Sequence, residues 1–369
     1  MFFNSILLNF RFEDLGYVLN VLILFSFQWV FFFKNNFFTN RVKTLTNEKH
    51  QMAALIKKLH YKIYIKWLIL SFSLLFLSFF IFTGVQTTCW WDHLKLTNFN
   101  IYLVMFLICV FLVMLFLISA IPTTNLTYNI DFFFCIGNLV FLLLLIFFAN
   151  NVYTFFFLLE LSSNLVFYKF AVSKSWFIKP HETFSTNFVK FNRVLPTNYV
   201  NMLFFQYWST FFSSILLLYS ITNIVYLYGS FDWLLIEYLV RVDLTILYHS
   251  NFLFFCWVWF AFFFGLFLKI GLTPLHLFKI EVYKGLPFIS IFFYTIFYFL
   301  VFFLFIVILI LNYLNTVVTC LWIMLVILII FGGIYTAILF FSVSFLKAFF
   351  AYSTVLNVYS LFCAIVVML

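Results

Sequence analysis

Glu160 and Lys269 are the residues best placed to do chemistry, because each stands in or at the end of a stretch that otherwise lacks charge. Glu160 lies in Phe155-Phe-Phe-Leu-Leu-Glu160-Leu-Ser-Ser, and Lys269 in Leu266-Phe-Leu-Lys269-Ile-Gly-Leu-Thr-Pro274. A charge held within a bilayer costs at least about 2.5–3.5 kcal/mol on insertion scales, so such residues face a protein interior or a wet cavity and have a partner. A carboxylate and an ammonium can serve each other in that role, and such a pair can hold and release a proton. At about 4 Å and an effective dielectric of about 20, two unit charges attract by about 4 kcal/mol. The blander alternatives are a protonated Glu160 hydrogen-bonded to a neighbouring helix and a Lys269 that snorkels to the membrane surface.

Gly271 and Pro274 follow Lys269 at once. Proline removes a backbone donor and disfavours helix for the residue before it, so the helix carrying Lys269 is expected to break here. A helix interrupted inside a membrane is tolerated only where it is buried in protein or lines a cavity. His276 comes next; its unperturbed pKa near neutrality suits it to pass protons along water held by the freed backbone groups. A packed, neutral histidine capping the broken helix is the equal alternative.

The scaffold that must position these groups is set by composition. The chain has 369 residues, 66% hydrophobic and 8% charged, with mean hydropathy +1.16. A soluble domain carries about 25% charged residues, so the bilayer must solvate most of this chain. Apolar runs at 15–33, 67–84, 101–121, 131–148, 151–172, 203–228, 251–269, 287–312, 316–341 and 347–369 predict an all-α integral membrane protein of about ten transmembrane helices, the seventh broken. The runs lack the in–out alternation of a barrel.

Most of the 20 basic residues fall in alternate connections. Lys34, Arg41, Lys43, Lys49, Lys57, Lys58, Lys62 and Lys66 share one side with Lys169, Lys174, Lys179, Lys190, Arg193, Lys279, Lys284 and Lys347. Arg11, Lys95 and Arg241 occupy the other. One missed helix would scramble this alternation, which makes the basic side the inner one and puts both chain ends outside. Within the basic loop 34–66, Met52, Leu55, Ile56, Leu59 and Ile63 follow helical spacing, as in an amphipathic helix on an anionic leaflet or a docking surface for a partner. The loop at about 173–202, with Trp176, Pro180, His181 and Pro196, is expected to be irregular and partner-bound.

Other features bound the function by exclusion. None of the six cysteines forms a CxxC pair, and small buried hydrophobes are the expected role. No GxGxxG fingerprint, iron–sulfur cysteine set or metal site is visible, and 9 glycines leave little for a nucleotide-cradling loop. Met1 leads into Phe2-Phe3-Asn4 without a basic region, so neither a signal nor a transit peptide is expected. The 64 phenylalanines point to T-rich codons, hence an organelle genome or an AT-rich bacterium; balanced base composition at silent gene positions would count against this.

The stretch Lys269-Ile-Gly-Leu-Thr-Pro274-Leu-His276-Leu-Phe-Lys-Ile-Glu281-Val-Tyr283-Lys-Gly285-Leu-Pro287 resembles the broken-helix segment of the subunit 2 family of mitochondrial NADH:ubiquinone oxidoreductase, respiratory complex I. Leu158-Leu159-Glu160-Leu161-Ser162, Phe212-Ser213-Ser214 with Tyr228-Gly229, and Lys347-Ala-Phe-Phe-Ala351-Tyr352-Ser353-Thr354 are similar to that family's spans 5, 6 and 10. The resemblance covers about 130–369; it divides the chain into amino-terminal helices at 1–130, including loop 34–66, and an antiporter-like bundle at 131–369. It implies a proton-translocating membrane-arm subunit of the mitochondrial inner membrane, with both termini towards the intermembrane space. Glu160, Lys269 and His276 would transfer protons. The chain would bind no cofactor, metal or nucleic acid; its partners would be other membrane-arm subunits and lipids such as cardiolipin at loop 34–66.

Two departures stand out. Where the family carries a lysine on span 8 this chain has Phe299, leaving Tyr294, Thr295 and Tyr298 as the nearest groups to line a water path. The sequence also stops after span 10; either the later helices are lost or, as the favoured expectation, a separate chain supplies them. A scaffold with a degenerate proton path and a free cation/proton antiporter are the competing functions.

Overall fold

The computed structural model describes residues 65–66, 68–77, 79, 87–89, 93–120, 130–172, 196–246, 252–272, 275–343 and 345–368. The first expected span at 15–33, the amphipathic segment at 47–64, and Trp176, Pro180 and His181 lie outside them. The chain divides into two compact units, Met1–Phe148 and Ala149–Leu369.

The first unit contains α1 (Leu68–Leu77), a two-stranded antiparallel hairpin of β1 (Thr87–Cys89) and β2 (Leu94–Leu96), α2 (Asn98–Ala120) and α3 (Ile130–Ile146). Phe72 and Phe111 meet edge-on, ring centres 4.7 Å apart, and tie α1 to α2. The Asn100 side chain donates to the Phe147 carbonyl at 2.9 Å, fixing the start of α2 against the end of α3.

The second unit holds α4 (Val152–Val172), α5 (Pro196–Tyr228), α6 (Trp233–Ile246), α7 (Phe252–Ile270) and α8 (Leu277–Gly285). It continues through α9 (Phe288–Phe293), a π-helical turn at Tyr294–Tyr298 and α10 (Phe299–Tyr313), then α11 (Asn315–Phe341) and α12 (Leu346–Met368). Among the described residues four stretches have the length and composition to cross a bilayer: Asn98–Leu117, Asn198–Tyr228, Leu253–Ile270 and Asn315–Phe341; α1, α3 and α10 hold shorter apolar helices. The protein is an all-α multi-pass membrane protein with one small hairpin.

Three local features correct the sequence reading. The expected irregular loop ends by 195, because Pro196 opens α5; proline suits a first helical position, where its missing donor is not needed. A helix, α6, occupies a connection read as loop; its Glu237 and Arg241 pair one turn apart at 2.5 Å. Of the described cysteines Cys135 is buried, but Cys109 and Cys320 are exposed on helix surfaces, where a thiol meets no penalty in an apolar solvent.

Helix α5 is the spine of this unit, with α4, α7 and α8 all packed on it, while α8 and α11 pack on α12. Glycines permit the closest approaches. A Cβ at Gly285 of α8 would fall 2.4 Å from Met202 Cβ and 2.7 Å from the Asn198 carbonyl oxygen of α5. In lipid, where the hydrophobic effect does not drive helices together, such small-residue contacts bring backbones into van der Waals packing. At the other end of α4, the Val152 N–H donates to the Phe231 carbonyl at 3.0 Å, aligning α4 with the start of α6.

Candidate functional site

Helix α7 ends as the sequence anticipates, but glycine makes the ending. Gly271 has φ +73°; its N–H and that of Leu272 both reach the Phe267 carbonyl, at 2.9 and 3.0 Å. This is a left-handed glycine closure that satisfies the orphan carbonyl of the last turn. Pro274 lies outside the described residues. After the interruption α8 starts at Leu277, where the His276 carbonyl accepts from the Lys279 N–H at 3.0 Å. At its far end the Lys347 ammonium, from α12, donates to the Leu286 carbonyl at 2.8 Å.

Lys269, in the last turn of α7, forms an ion pair and hydrogen bond with Glu160 Oε1 from the middle of α4. The lysine side chain is 1% exposed and the glutamate 25%. The sequence separation is 109 residues; the shared packing of α4 and α7 on α5 brings them together. The second carboxylate oxygen, Oε2, lies 2.8 Å from Ser214 Oγ of α5. That Oγ is also 2.7 Å from the Thr210 carbonyl. A serine has one proton for two acceptors, so Ser214 is shared between the carboxylate and its own helix.

The other sequence candidates fall around this pair in different ways. The His276 ring is fully buried, with ring centres 5.9 Å from both Tyr335 and Tyr352. It occupies the N-cap position of α8, and its side chain makes no capping hydrogen bond there. Tyr294 and Tyr298 are buried and stacked, centres 4.9 Å apart, on the π-helical turn. Such turns recur at functional sites. Thr295 donates to the Phe292 carbonyl at 3.1 Å, within its own helix.

Two lysines that the sequence groups on the basic side of the membrane are buried in the protein. Lys169, near the end of α4, sits 4.0 Å above the Phe293 ring, and Lys279 sits 3.3 Å above the Phe299 ring. Counting charges by position along the chain does not see which way a helix is turned. For Lys279 a signal existed: it shares the apolar stripe of α8 with Val282 and Tyr283, three and four residues on, while Glu281 and Lys284 lie off it. Phe299, where the resemblance expects a lysine, thus carries an ammonium on its face that arrives from α8. Ser214 was legible only as part of the span 6 pattern, since its role needs Glu160 to be placed. Among the described residues no group of three or more metal-ligating side chains occurs.

No family model matches the sequence. The chain is 49% identical over 81 residues to an uncharacterized mitochondrial protein, ORF4, of Paramecium tetraurelia, a match covering 21% of this chain and 51% of that protein. The fold is similar to that of a chain in the membrane-bound sulfane sulfur reductase, an archaeal respiratory membrane complex. There the TM-score is 0.58 at 14% identity, covering 80% of this chain and 46% of the other. The present chain spans about half the length of either protein, and at this identity the structural likeness establishes a common fold and nothing finer.

Proposed function

We propose that this chain is a proton-translocating subunit in the membrane domain of a respiratory oxidoreductase complex. The observation that carries the reading is the Glu160–Lys269 pair, held in an apolar bundle at a helix end that Gly271 closes. The fold shared with an archaeal respiratory membrane complex and the stretch shared with a mitochondrial protein support it. In finer terms, the motif from Lys269 to Pro287 favours subunit 2 of mitochondrial NADH:ubiquinone oxidoreductase. That identity brings an inner-membrane location and chain ends on the intermembrane-space side. Its neighbours would be other membrane-arm subunits and cardiolipin-like lipids at loop 34–66. The reading assigns the chain no cofactor: redox chemistry elsewhere supplies the energy.

In this mechanism an ionised Glu160 keeps Lys269 as an ammonium. When a neighbouring charge or a proton neutralises the carboxylate, the ammonium is left without a counter-charge among apolar side chains. An N–H bond then breaks, and the proton passes to water at the helix break that follows α7. Ser214 follows by swinging its proton to Thr210, leaving Oγ free to accept from a protonated Glu160. His276 and the paired tyrosines of the π-turn line the onward route.

In vesicles holding the intact complex, Lys269→Met is expected to lower protons moved per electron by about tenfold or more, the scale of a lost acid–base group. An unchanged ratio would favour a membrane scaffold, a reading encouraged by the aromatic residue at Phe299. Recovery of the chain by itself, outside any large assembly, would favour a free cation/proton antiporter.

A further inference from the structure

Lys279 is a buried titratable group that the mechanism above leaves idle. Its side chain is buried, its Nζ has no hydrogen-bond partner, and among the described residues no carboxylate lies within ion-pair distance. Glu281, on the same helix, is committed to Lys284 at 2.6 Å. What faces the ammonium is the ring of Phe299, 3.3 Å to its centre. An aromatic face attracts a cation but neither accepts a conventional hydrogen bond nor neutralises its charge. A leucine or methionine would fill the space without the desolvation penalty of an unpaired ion. Structure alone therefore does not account for a lysine here.

Its surroundings join it to the ion pair. The Lys279 stem lies in the notch of the broken helix: a Cβ on Gly271, two residues past Lys269, would come 3.3 Å from Lys279 Cδ. Phe299 in turn touches both tyrosines of the π-turn, with ring centres 5.2 Å from Tyr294 and 6.1 Å from Tyr298. Tyr298 lies within electrostatic reach of the Glu160 carboxylate. Three other titratable groups on α8 and on the helices packed against it are already engaged. Tyr199 donates to the Ala171 carbonyl at 2.8 Å, Lys347 to Leu286, and Tyr283 shares a 3.2 Å hydrogen bond with Thr354.

We propose that Lys279 is a second proton-carrying group, which receives a proton from the Lys269 side of the helix break and passes it on from above Phe299. The inference rests on the reading of Glu160 and Lys269 given above. In the transfer an N–H bond of the Lys269 ammonium breaks and an O–H bond forms on water. That water gives up another proton to the Lys279 amine, so one positive charge crosses the break and no electron pair leaves nitrogen.

The test uses the intact complex in vesicles with Lys269→Met, Lys279→Met and Lys279→Arg, following assembly, thermal midpoint and protons moved per electron. Lys279→Met is expected to assemble with an unchanged or raised midpoint, because it removes a buried polar group that has no hydrogen-bond partner, yet to lose translocation by about tenfold or more. Lys279→Arg keeps the charge but holds its proton permanently, and is expected to lose translocation as well. If Lys279→Met does not assemble, or if Lys279→Arg pumps as the parent does, the ammonium is structural and the inference is overturned. If both Lys279 variants pump normally while Lys269→Met does not, this inference alone fails. If Lys269→Met also pumps normally, the reading beneath it fails too.

Discussion

On the α7 side of the helix break a buried lysine faces a carboxylate; on the α8 side a buried lysine faces a phenyl ring. Lys269 sits among polar groups supplied by α4 and α5, namely Glu160 and, behind it, Ser214. Lys279 sits among aromatic rings supplied by the π-turn and α10. The first charge is compensated where it stands. The second is only tolerated, so the helix carrying it must be held in place by contacts that have nothing to do with its charge. In the mechanism proposed above the difference separates two tasks, holding a proton beside a counter-charge and passing it on from an apolar site.

The comparison breaks most sharply at Glu160. Glu160→Gln leaves Lys269 as a buried ion without its counter-charge, converting the α7 environment into one like that of Lys279. Loss of one partner of a buried pair is strongly destabilising; since the carboxylate side chain is 25% exposed, a loss of about 3 kcal/mol is expected, at the low end of the usual range. Chemical denaturation of the purified complex would measure it. Adding Lys269→Met should recover most of the stability and none of the translocation. If Glu160→Gln is as stable as the parent, the two lysine environments are energetically alike and the contrast is false.

On the α8 side the largest effect is expected from a residue without charge. Gly285→Ala would place a methyl group 2.4 Å from Met202 Cβ and 2.7 Å from the Asn198 carbonyl oxygen, a backbone atom that cannot swing away. Overpacking of this kind costs about 2 kcal/mol. The lysine on this side owes its position to the seat of α8 on α5, so a lowered thermal midpoint should accompany weakened translocation. A midpoint equal to the parent's would mean that α8 can slide without consequence.

Some of this was legible in the sequence and some could not be. The apolar runs gave the helices, because hydropathy over about 20 residues is a local property. Glu160 and Lys269 stood out because a charge in such a run is conspicuous by composition. The pattern after Lys269 located the helix break, though Gly271 provides the closure that can be described, and Pro274 drew equal attention. The burial of Lys279 escaped the charge count for a physical reason: the alternation of basic loops reports which end of a helix a residue is near, not the direction in which its side chain points. The charged positions of α6 hid a helix, since Glu237 and Arg241 interrupt its apolar pattern. Ser214 could not be given its role from sequence, because a serine in an apolar helix most often bonds its own backbone, as Ser213 does to Thr210 at 2.7 Å.

A smaller effect is expected at that serine. Ser214→Ala removes one donor from Glu160 Oε2 while leaving Lys269 on Oε1. A hydrogen bond of this type contributes about 1 kcal/mol when its acceptor keeps another partner. Stability should fall by that amount in denaturation, and the rate of proton movement should fall by more than the stability loss explains, because the hydroxyl can no longer follow the charge state of the carboxylate. Equal losses in both would reduce Ser214 to packing, and the polar environment of Lys269 to a single residue.

The smallest effect belongs to Thr295, which the sequence offered as a water-path residue beside Tyr294 and Tyr298. Its hydroxyl is spent on the Phe292 carbonyl one turn back, and the two tyrosines flanking it in sequence turn their rings to each other instead. Valine has nearly the same shape, and the Phe292 carbonyl keeps the backbone bonding of the helix. Thr295→Val should change stability by no more than about 0.5 kcal/mol, as surface changes away from special contacts do, and proton translocation should match the parent within error. A clear loss of translocation in this variant would mean that the hydroxyl leaves its helix to hold water, and the environment of Lys279 would then be wetter, and closer to that of Lys269, than its rings suggest.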